Sequence, residues 1–392
     1  MSDFEYYRRA ALALLEHHQL GWPSPSAYRV PGYPFLLATM LTISRSTTFL
    51  SLVNVVLSAA LAPMVYALAR FFTNTRAAVV AAVVCACHPT FVLFSPVLAS
   101  EHLFVLLLFG SFLTLLAGGV KAASPRRLAA TGVLFGAATL TRPDALFFAP
   151  SFIWLSTRLG TSLRERLRAA AVIVVCASLP ICAWIGRNRV VVGPGTGLST
   201  ASGMTLYYAH NERGIGYHPL AGTALAGLDP LERNRRAQEL ARDYILRAGL
   251  RRLVADAAKA SRALFFDLSS GSLHWSTQEP VGSPDVNRDA PLALLPALRR
   301  FDRFAYYGLF AAAAAGFVTG LGLTSSGRRF SVTFVLCTWA AYGVLFFGNA
   351  RYRYATEVIF CIAAGALVAG IGGPAGLLST GFSTEQSAHR GR

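Results

Sequence analysis

Charge is scarce in this 392-residue chain. Asp, Glu, Lys and Arg make up 14% of the residues, whereas about a quarter is usual in soluble domains. The charged residues cluster in short islands between long apolar runs, and 54% of the chain is hydrophobic. This pattern excludes an ordinary soluble domain and predicts an integral membrane protein.

Lysine, acidic residues and cysteine are also scarce. Only Lys121 and Lys259 are Lys, so Arg supplies nearly all of the 36 basic residues, against 19 acidic ones. The Arg islands border apolar runs instead of forming a soluble basic face, which argues against nucleic acid as a partner. All six cysteines fall inside apolar runs, so we expect no disulfide framework.

Nine apolar segments are candidate membrane spans. Two of them, 128–141 and 144–158, are shorter than the roughly 20 residues that a helix needs to cross a bilayer. The other seven are 48–71, 76–95, 100–118, 169–188, 304–324, 330–348 and 354–371. Arginines mark alternate connections, which the positive-inside rule assigns to the cytoplasm. The expected order is an extracytoplasmic segment (1–47), transmembrane helices (48–188), an extracytoplasmic loop domain (189–303), transmembrane helices (304–371) and a cytoplasmic tail (372–392).

An extracytoplasmic start without a signal peptide or a first span is unusual. We therefore expect that a first span is missing, which would bring the total to about ten in a multi-pass cell membrane protein. Residues 3–18 read as an amphipathic helix with Leu12 and Leu15 on its apolar face, suited to a membrane interface. In the large loop, Asp229 is expected to cap a helix that runs to about residue 266 and breaks near Gly249.

Glu101 and Asp3 are candidate catalytic acids. A carboxylate at a membrane boundary is costly unless it is solvated or paired, so Glu101 is a functional candidate. The alternative is an acid that complements the dipole at the start of a helix. For Asp144 and Glu357 we expect this ordinary structural role.

Arginines recur on the expected outer face, where short loops normally avoid them. This suggests an anionic ligand, because Arg binds phosphate through charge-assisted, bidentate hydrogen bonds. A lipid phosphate fits this location, and anchoring to lipid headgroups is the alternative. The residues are Arg29, Arg142, Arg187, Arg189, Arg351 and Arg353.

An ordered set of short motifs resembles glycosyltransferase family 39, the GT-C enzymes related to protein O-mannosyltransferases and aminoarabinose transferases. No single motif is specific, but their order covers nearly the whole chain. They are Ser2-Asp3 with Tyr6-Tyr7 and Ala10; Arg29 to Pro34; His88-Pro89 with Ser95-Pro96 and Ser100-Glu101; Gly136 to Pro143; Trp184 with Arg187-Asn188; Ser199-Thr200, Gly203 and 206–216; and Arg351-Tyr352-Arg353.

This resemblance implies an all-α GT-C bundle that transfers a sugar from a polyprenyl-phosphate donor to an extracytoplasmic acceptor, with inversion. Asp3 would be the general base, and the arginines would stabilise the leaving phosphate. Glu101 would position the acceptor or hold a divalent ion, Mg or Mn, together with Asp3. Tyr33, Asn188 and Asn211, which lie in matched stretches, are expected to bind substrate with the arginines. The partners would be the lipid-linked donor and membrane lipids, with the acceptor open.

Three alternatives remain at the level of the sequence. A polysaccharide polymerase or ligase is a related enzyme class. A lipid-sugar transporter or flippase would carry ionisable groups near the midplane of the membrane. A noncatalytic scaffold would not depend on Asp3 or Glu101.

Overall fold

The structure is a computed structural model that describes residues 3–22, 24–117, 124–156, 162–216, 223–266 and 295–371. Within these ranges the chain is helical and contains no strand. The α-helices are α1 (Asp3–His17), α2 (Gly32–Leu41), α3 (Thr47–Ala59), α4 (Leu61–Ala69), α5 (Thr75–Cys87), α6 (Pro89–Phe94), α7 (Glu101–Leu116), α8 (Pro125–Thr141), α9 (Ala149–Ser156), α10 (Leu163–Val191), α11 (Ser202–Ala209), α12 (Pro230–Arg247), α13 (Gly249–Phe265), α14 (Leu295–Thr319), α15 (Ser325–Trp339) and α16 (Tyr354–Ile371). Two 3₁₀ turns (Pro143–Phe148 and Ala350–Arg353) and a π-helical segment (Ala340–Leu345) link some of them.

Three helical stretches in the described ranges are long and apolar enough to cross a membrane: Thr47–Ala69, Leu163–Val191 and Ala350–Ile371. Other apolar helices, such as α5 and α7, are shorter. The predicted all-α, polytopic membrane fold is confirmed. The count of nine or ten spans and the division into domains stay predictions.

The expected span 76–95 is not one continuous helix. It divides at His88 into α5 and α6, because His88 Nδ1 accepts a hydrogen bond from the Thr90 amide at 3.3 Å and so caps a new helix that starts at Pro89. The expected span 144–158 likewise begins as a 3₁₀ turn and becomes α9 only at Ala149. Helix breaks therefore fall within the candidate spans 76–95 and 144–158, and whether each crosses the membrane stays a prediction.

The expected helix start at Asp229 is confirmed. Its side chain accepts hydrogen bonds from the amides of Leu231 and Glu232 at 3.0 and 3.1 Å. The predicted break also occurs, between α12 and α13, where Gly249 has a φ of +68°. The tail expected at 372–392 lies outside the described residues.

Small residues let several helices approach closely, which suits packing inside a membrane. On α8, a Cβ at Gly132 would lie 2.5 Å from the carbonyl oxygen of Ile173 on α10, and one at Gly136 would lie 2.7 Å from that of Ala177. On α16, a Cβ at Gly365 would meet the backbone of α5 at 2.6 Å. These contacts fix the helices whose ends carry the charged residues described below.

The N-terminal helix α1 packs inside the protein. Tyr6, Tyr7, Ala10 and Ala11 are buried in a cluster with residues of α2, while Leu12 and Leu15 lie at its margin. The apolar face of α1 therefore meets α2, so the expectation that this face meets the membrane interface was wrong.

Candidate active site

Glu101 is the centre of a buried charged group built from three distant parts of the chain. It begins α7 and is only 2% exposed. Its Oε1 accepts hydrogen bonds from Arg142 Nη1 at 2.5 Å and from Arg351 Nε. Arg142 follows α8, and Arg351 lies in the 3₁₀ turn before α16. The fold thus joins one carboxylate to two arginines; we call Glu101, Arg142, Arg351 and Asp144 the Glu101 cluster.

Asp144 completes the cluster. Arg142 donates to Asp144 Oδ2 from Nε at 2.9 Å and from Nη2 at 2.7 Å. Burial alone would lower the pKa of Arg142, but the carboxylates of Asp144 and Glu101 outweigh it and raise that pKa well above its usual value. Arg142 therefore stays charged at any physiological pH.

Aromatic rings line the two arginines and bring α1 to the cluster. The Arg351 guanidinium carbon is 4.9 Å from the ring centre of Phe4, and that of Arg142 is 5.9 Å from the ring of Tyr352. Tyr7 Oη lies 3.3 Å from Ser100 Oγ, one residue before Glu101. The first turn of α1 therefore packs against the cluster. Asp3 begins this turn, and its side chain lies outside what the structure describes.

The second carboxylate oxygen of Glu101 has a different environment. Oε2 is buried and has no hydrogen-bond partner among the residues that the structure describes. A buried acceptor without a partner is costly, so this atom is a natural place for a hydroxyl of a ligand or for water.

The described residues do not favour a divalent cation at Glu101. Two guanidinium groups already neutralise its carboxylate, and a cation there would be repelled by both. No group of three His, Cys, Asp or Glu side chains with the geometry of a metal site occurs within the described ranges. The suggested Mg or Mn ion therefore has little support from these residues, and no chemical step below depends on a metal.

Arg353 lies in a separate buried ion pair. It is 2% exposed, and its Nε donates to Glu357 Oε1 at 2.7 Å. Its Nη1 donates to the carbonyl oxygen of Leu264 at 2.8 Å, and its guanidinium lies 3.7 Å from the ring centre of Tyr306. These contacts enclose the guanidinium and favour structural support, and the role of Arg353 in donor binding stays a prediction.

Two further predicted residues lie near the start of the chain. Tyr33 is fully buried, and its hydroxyl donates to Asn54 Oδ1 at 3.0 Å, with the ring of Tyr7 5.1 Å away. Arg29 is half-buried, and its guanidinium stacks 4.9 Å from the ring of Tyr28. Neither contact joins these residues to the Glu101 cluster, and their role in substrate binding stays a prediction.

Arg187, Asn188 and Asn211 hold backbone in place. Arg187 donates to the carbonyl oxygens of Leu20 and Ser26 at 2.8 and 3.0 Å, which ties the N-terminal loop to the end of α10. Asn188 Nδ2 donates to the Gly197 oxygen at 2.9 Å. Asn211 Nδ2 bonds the Tyr207 and Gly214 oxygens at 2.7 and 3.0 Å. Their predicted contacts with substrate also stay predictions.

Asp144 is the site residue that sequence reasoning set aside. The signal was present, because Arg142 and Asp144 flank Pro143 in one tight turn and can pair locally. The aromatic lining was not foreseeable, since Phe4 and Tyr352 are some 350 positions apart and meet only through the tertiary fold.

Solved structures with a similar fold come from an archaeal oligosaccharyltransferase. The apo crystal structure of the oligosaccharyltransferase of Archaeoglobus fulgidus superposes with a TM-score of 0.51 at 13% identity, covering 94% of this chain and 46% of that one. The structure of that archaeal enzyme, AglB, in complex with an inhibitory peptide and a dolichol-phosphate gives a TM-score of 0.50 at 13% identity, with 93% and 46% covered. The chain thus shares the fold of these oligosaccharyltransferase structures but spans less than half of their length. At this identity the likeness establishes the fold alone.

The family comparison is more specific. Residues 26–184 match the family described as dolichyl-phosphate-mannose-protein mannosyltransferase. None of the curated proteins matches the sequence. The inferred resemblance to GT-C enzymes related to protein mannosyltransferases is therefore confirmed over residues 26–184, which is less than half of the chain.

Proposed function

We propose that this protein is a glycosyltransferase that moves a sugar from a polyprenyl-phosphate donor to an acceptor on the extracytoplasmic side, with inversion at the anomeric carbon. One observation carries the proposal. Glu101 holds Arg142 and Arg351 together at the ends of three apolar helices, where a phosphate borne by a membrane lipid can reach them. The family match and the dolichol-phosphate in the complex of the archaeal relative point to the same donor class.

The two arginines act on the leaving group in this proposal. When the bond between the sugar and the phosphate breaks, negative charge grows on the lipid phosphate. Guanidinium groups already fixed by Glu101 and Asp144 stabilise that charge without having to reorient. Glu101 is then a positioning residue for the arginines, and its Oε2 is placed to accept a hydrogen bond from a substrate hydroxyl.

Asp3 serves as the general base. An inverting transfer needs a group that removes the proton of the acceptor as its oxygen attacks the sugar. The contact of Phe4 with Arg351 supports this role, because it brings the first turn of α1 beside the arginines. Asp3 and Glu5 both adjoin Phe4 along the chain, and Glu5 is already paired with Arg9, which favours Asp3 as the base.

Label transfer in membranes tests the proposal. Membranes with the wild-type protein are incubated with a panel of radiolabelled polyprenyl-phosphate sugars, and the label is followed into lipid, glycan and protein. We expect transfer from at least one donor, and its loss in Glu101→Gln. Glu16→Gln is the matched control, because Glu16 pairs with Arg45 on the surface and such pairs contribute little.

Two results would count against transfer. Movement of the labelled lipid across the bilayer without a new glycosidic bond would indicate a transporter. Equal transfer by wild-type protein and Glu101→Gln, at equal abundance, would remove the cluster from the reaction. Because Glu101→Gln leaves two buried arginines undercompensated, its abundance and thermal stability must be measured beside its activity.

A further inference from the structure

An exposed apolar stripe crosses the bend between α12 and α13. Leu246, Leu250 and Val254 are 72%, 79% and 58% exposed. Leu250 and Val254, four residues apart, lie on one face of α13, and Leu246 lies at the end of α12, just before the bend at Gly249. Large aliphatic side chains this exposed, in a row, indicate a surface that is covered by another apolar phase.

Basic residues dominate the same two helices. Residues 230–265 contain nine Arg or Lys against four Asp or Glu. Several of these arginines pair along their own helix, as Arg235 does with Glu232 and Glu239. Arg242 and Arg251, which border the stripe, form no ion pair within the described part of the chain. The surface beside the stripe is therefore cationic.

The C-terminal half of α13 is fixed to the membrane helices. Trp339 Nε1 donates to Ser261 Oγ at 2.9 Å, and Arg353 donates to the oxygen of Leu264. Gly348 lies so close to Ala260 that a Cβ there would be 1.8 Å from its carbonyl oxygen. Trp339 is itself 42% exposed, and Trp is typical of membrane–water interfaces. These contacts hold α13 against the segment that carries Arg351 and Arg353, beside an exposed Trp.

An apolar groove adjoins the stripe. It has a volume of about 580 Å³ and lies between α11, α12 and the end of the π-helical segment. Leu246, Leu345 and Phe346 line it, and Arg242 lies at its edge. Leu246 belongs to both the groove and the stripe, so the two form one continuous apolar surface with a cation at its border.

We propose that α12 and α13 lie flat on the bilayer surface and bind anionic phospholipids. Leu246, Leu250 and Val254 enter the edge of the hydrocarbon, and a lipid chain occupies the groove. Arg242 and Arg251 contact the lipid phosphates. The cationic surface selects lipid over a second copy of the chain, since two such surfaces repel each other. The proposal stands independently of sugar transfer.

Depth measurements in single-copy nanodiscs test the orientation. The exposed Cys87 and Cys182 are replaced by Ala, and an environment-sensitive NBD label is attached to Leu250→Cys or, as the control, to Lys259→Cys. Nine residues apart, these positions face about opposite sides of the helix. We expect nitroxides on the lipid chains to quench the label at 250 and not at 259.

Equal, weak quenching at both positions would overturn the proposal. So would an apolar environment at 250 that appears only in discs holding two copies, because the stripe would then be a protein–protein interface.

Lipid selectivity provides the second test. Spin-labelled phosphatidylglycerol and phosphatidylcholine are compared for association with the protein in nanodiscs. We expect a preference for phosphatidylglycerol that falls by about fivefold for each arginine removed in Arg242→Gln/Arg251→Gln. Arg235→Gln/Arg236→Gln is the matched control, because both arginines already pair with glutamates. An unchanged preference in the Arg242/Arg251 variant would refute the binding of phosphates by these residues.

Discussion

Removing one member of the Arg353–Glu357 pair is expected to destabilise the protein more than it weakens donor binding. The two side chains are 3% and 2% exposed and bond at 2.7 Å. Arg353 also bonds the Leu264 oxygen and stacks on Tyr306. Either single change therefore leaves a buried charge without its partner.

The expected magnitude follows from that burial. Breaking a buried pair costs about 3–5 kcal/mol, whereas replacing both members with apolar residues is often close to neutral. Arg353→Met and Glu357→Met should each lower the free energy of unfolding by about that amount. The double variant should recover most of this loss. The difference between its loss of stability and the sum of the two single losses measures the coupling between Arg353 and Glu357.

The assay combines thermal unfolding of the purified protein in detergent with the donor KM of the fraction that remains folded. Arg45→Met is the control, since Arg45 is 68% exposed in its pair with Glu16 and should cost less than about 1 kcal/mol. Additive losses in the double variant would refute the coupling. A stable Arg353→Met protein with a strongly raised donor KM would return Arg353 to the donor site.

Three further predictions test other parts of the molecule. Arg351→Ala removes one charge-assisted contact worth about 1.5–3 kcal/mol, so the donor KM in the transfer assay should rise about ten- to a hundredfold. An unchanged donor KM at normal protein abundance would exclude Arg351 from donor binding. Burial lowers the pKa of His210, whose ring bonds the Leu345 oxygen at 3.0 Å. The neutral imidazole therefore contributes its full stability above pH about 6.5, and that stability is lost as pH falls through the lowered pKa. His210→Gln should flatten the acid side of the profile of stability against pH, and an unaltered profile would contradict this. Asp229→Ala removes the N-cap of α12 and should cost about 1 kcal/mol in thermal unfolding, whereas unchanged stability would mean that tertiary contacts alone hold this helix end.

The charged residues at the ends of apolar runs could be selected from the sequence, but their pairing could not. Glu101 and Arg142 stood out because charge at a membrane boundary is costly. That Glu101 meets Arg351, 250 positions along the chain, depends on how the helices pack, which local pattern does not encode.

Arg351 and Arg353 illustrate the limit of reasoning from spacing. Both were expected to bind the donor. They lie in a 3₁₀ turn, where three residues make one turn, so positions two apart point to different sides. Arg351 therefore reaches Glu101, and Arg353 reaches Glu357.

The interruption of the helix at His88 could have been predicted from the sequence, because proline favours the first position of a helix and Pro89 follows His88.

The claim that this protein is a glycosyltransferase with Asp3 as its base is tested most directly by measuring sugar transfer from a polyprenyl-phosphate donor in a variant whose Asp3 is neutralised. Asp3→Asn is nearly isosteric and removes the general base, so transfer should fall at least about a hundredfold at equal membrane abundance. Glu5→Gln is the control, because Glu5 pairs with Arg9 at 2.6 Å on the surface, and its effect should be far milder. Activity of Asp3→Asn within a few-fold of wild type, with loss in Glu5→Gln or Glu101→Gln, would contradict the assignment of Asp3 as the base.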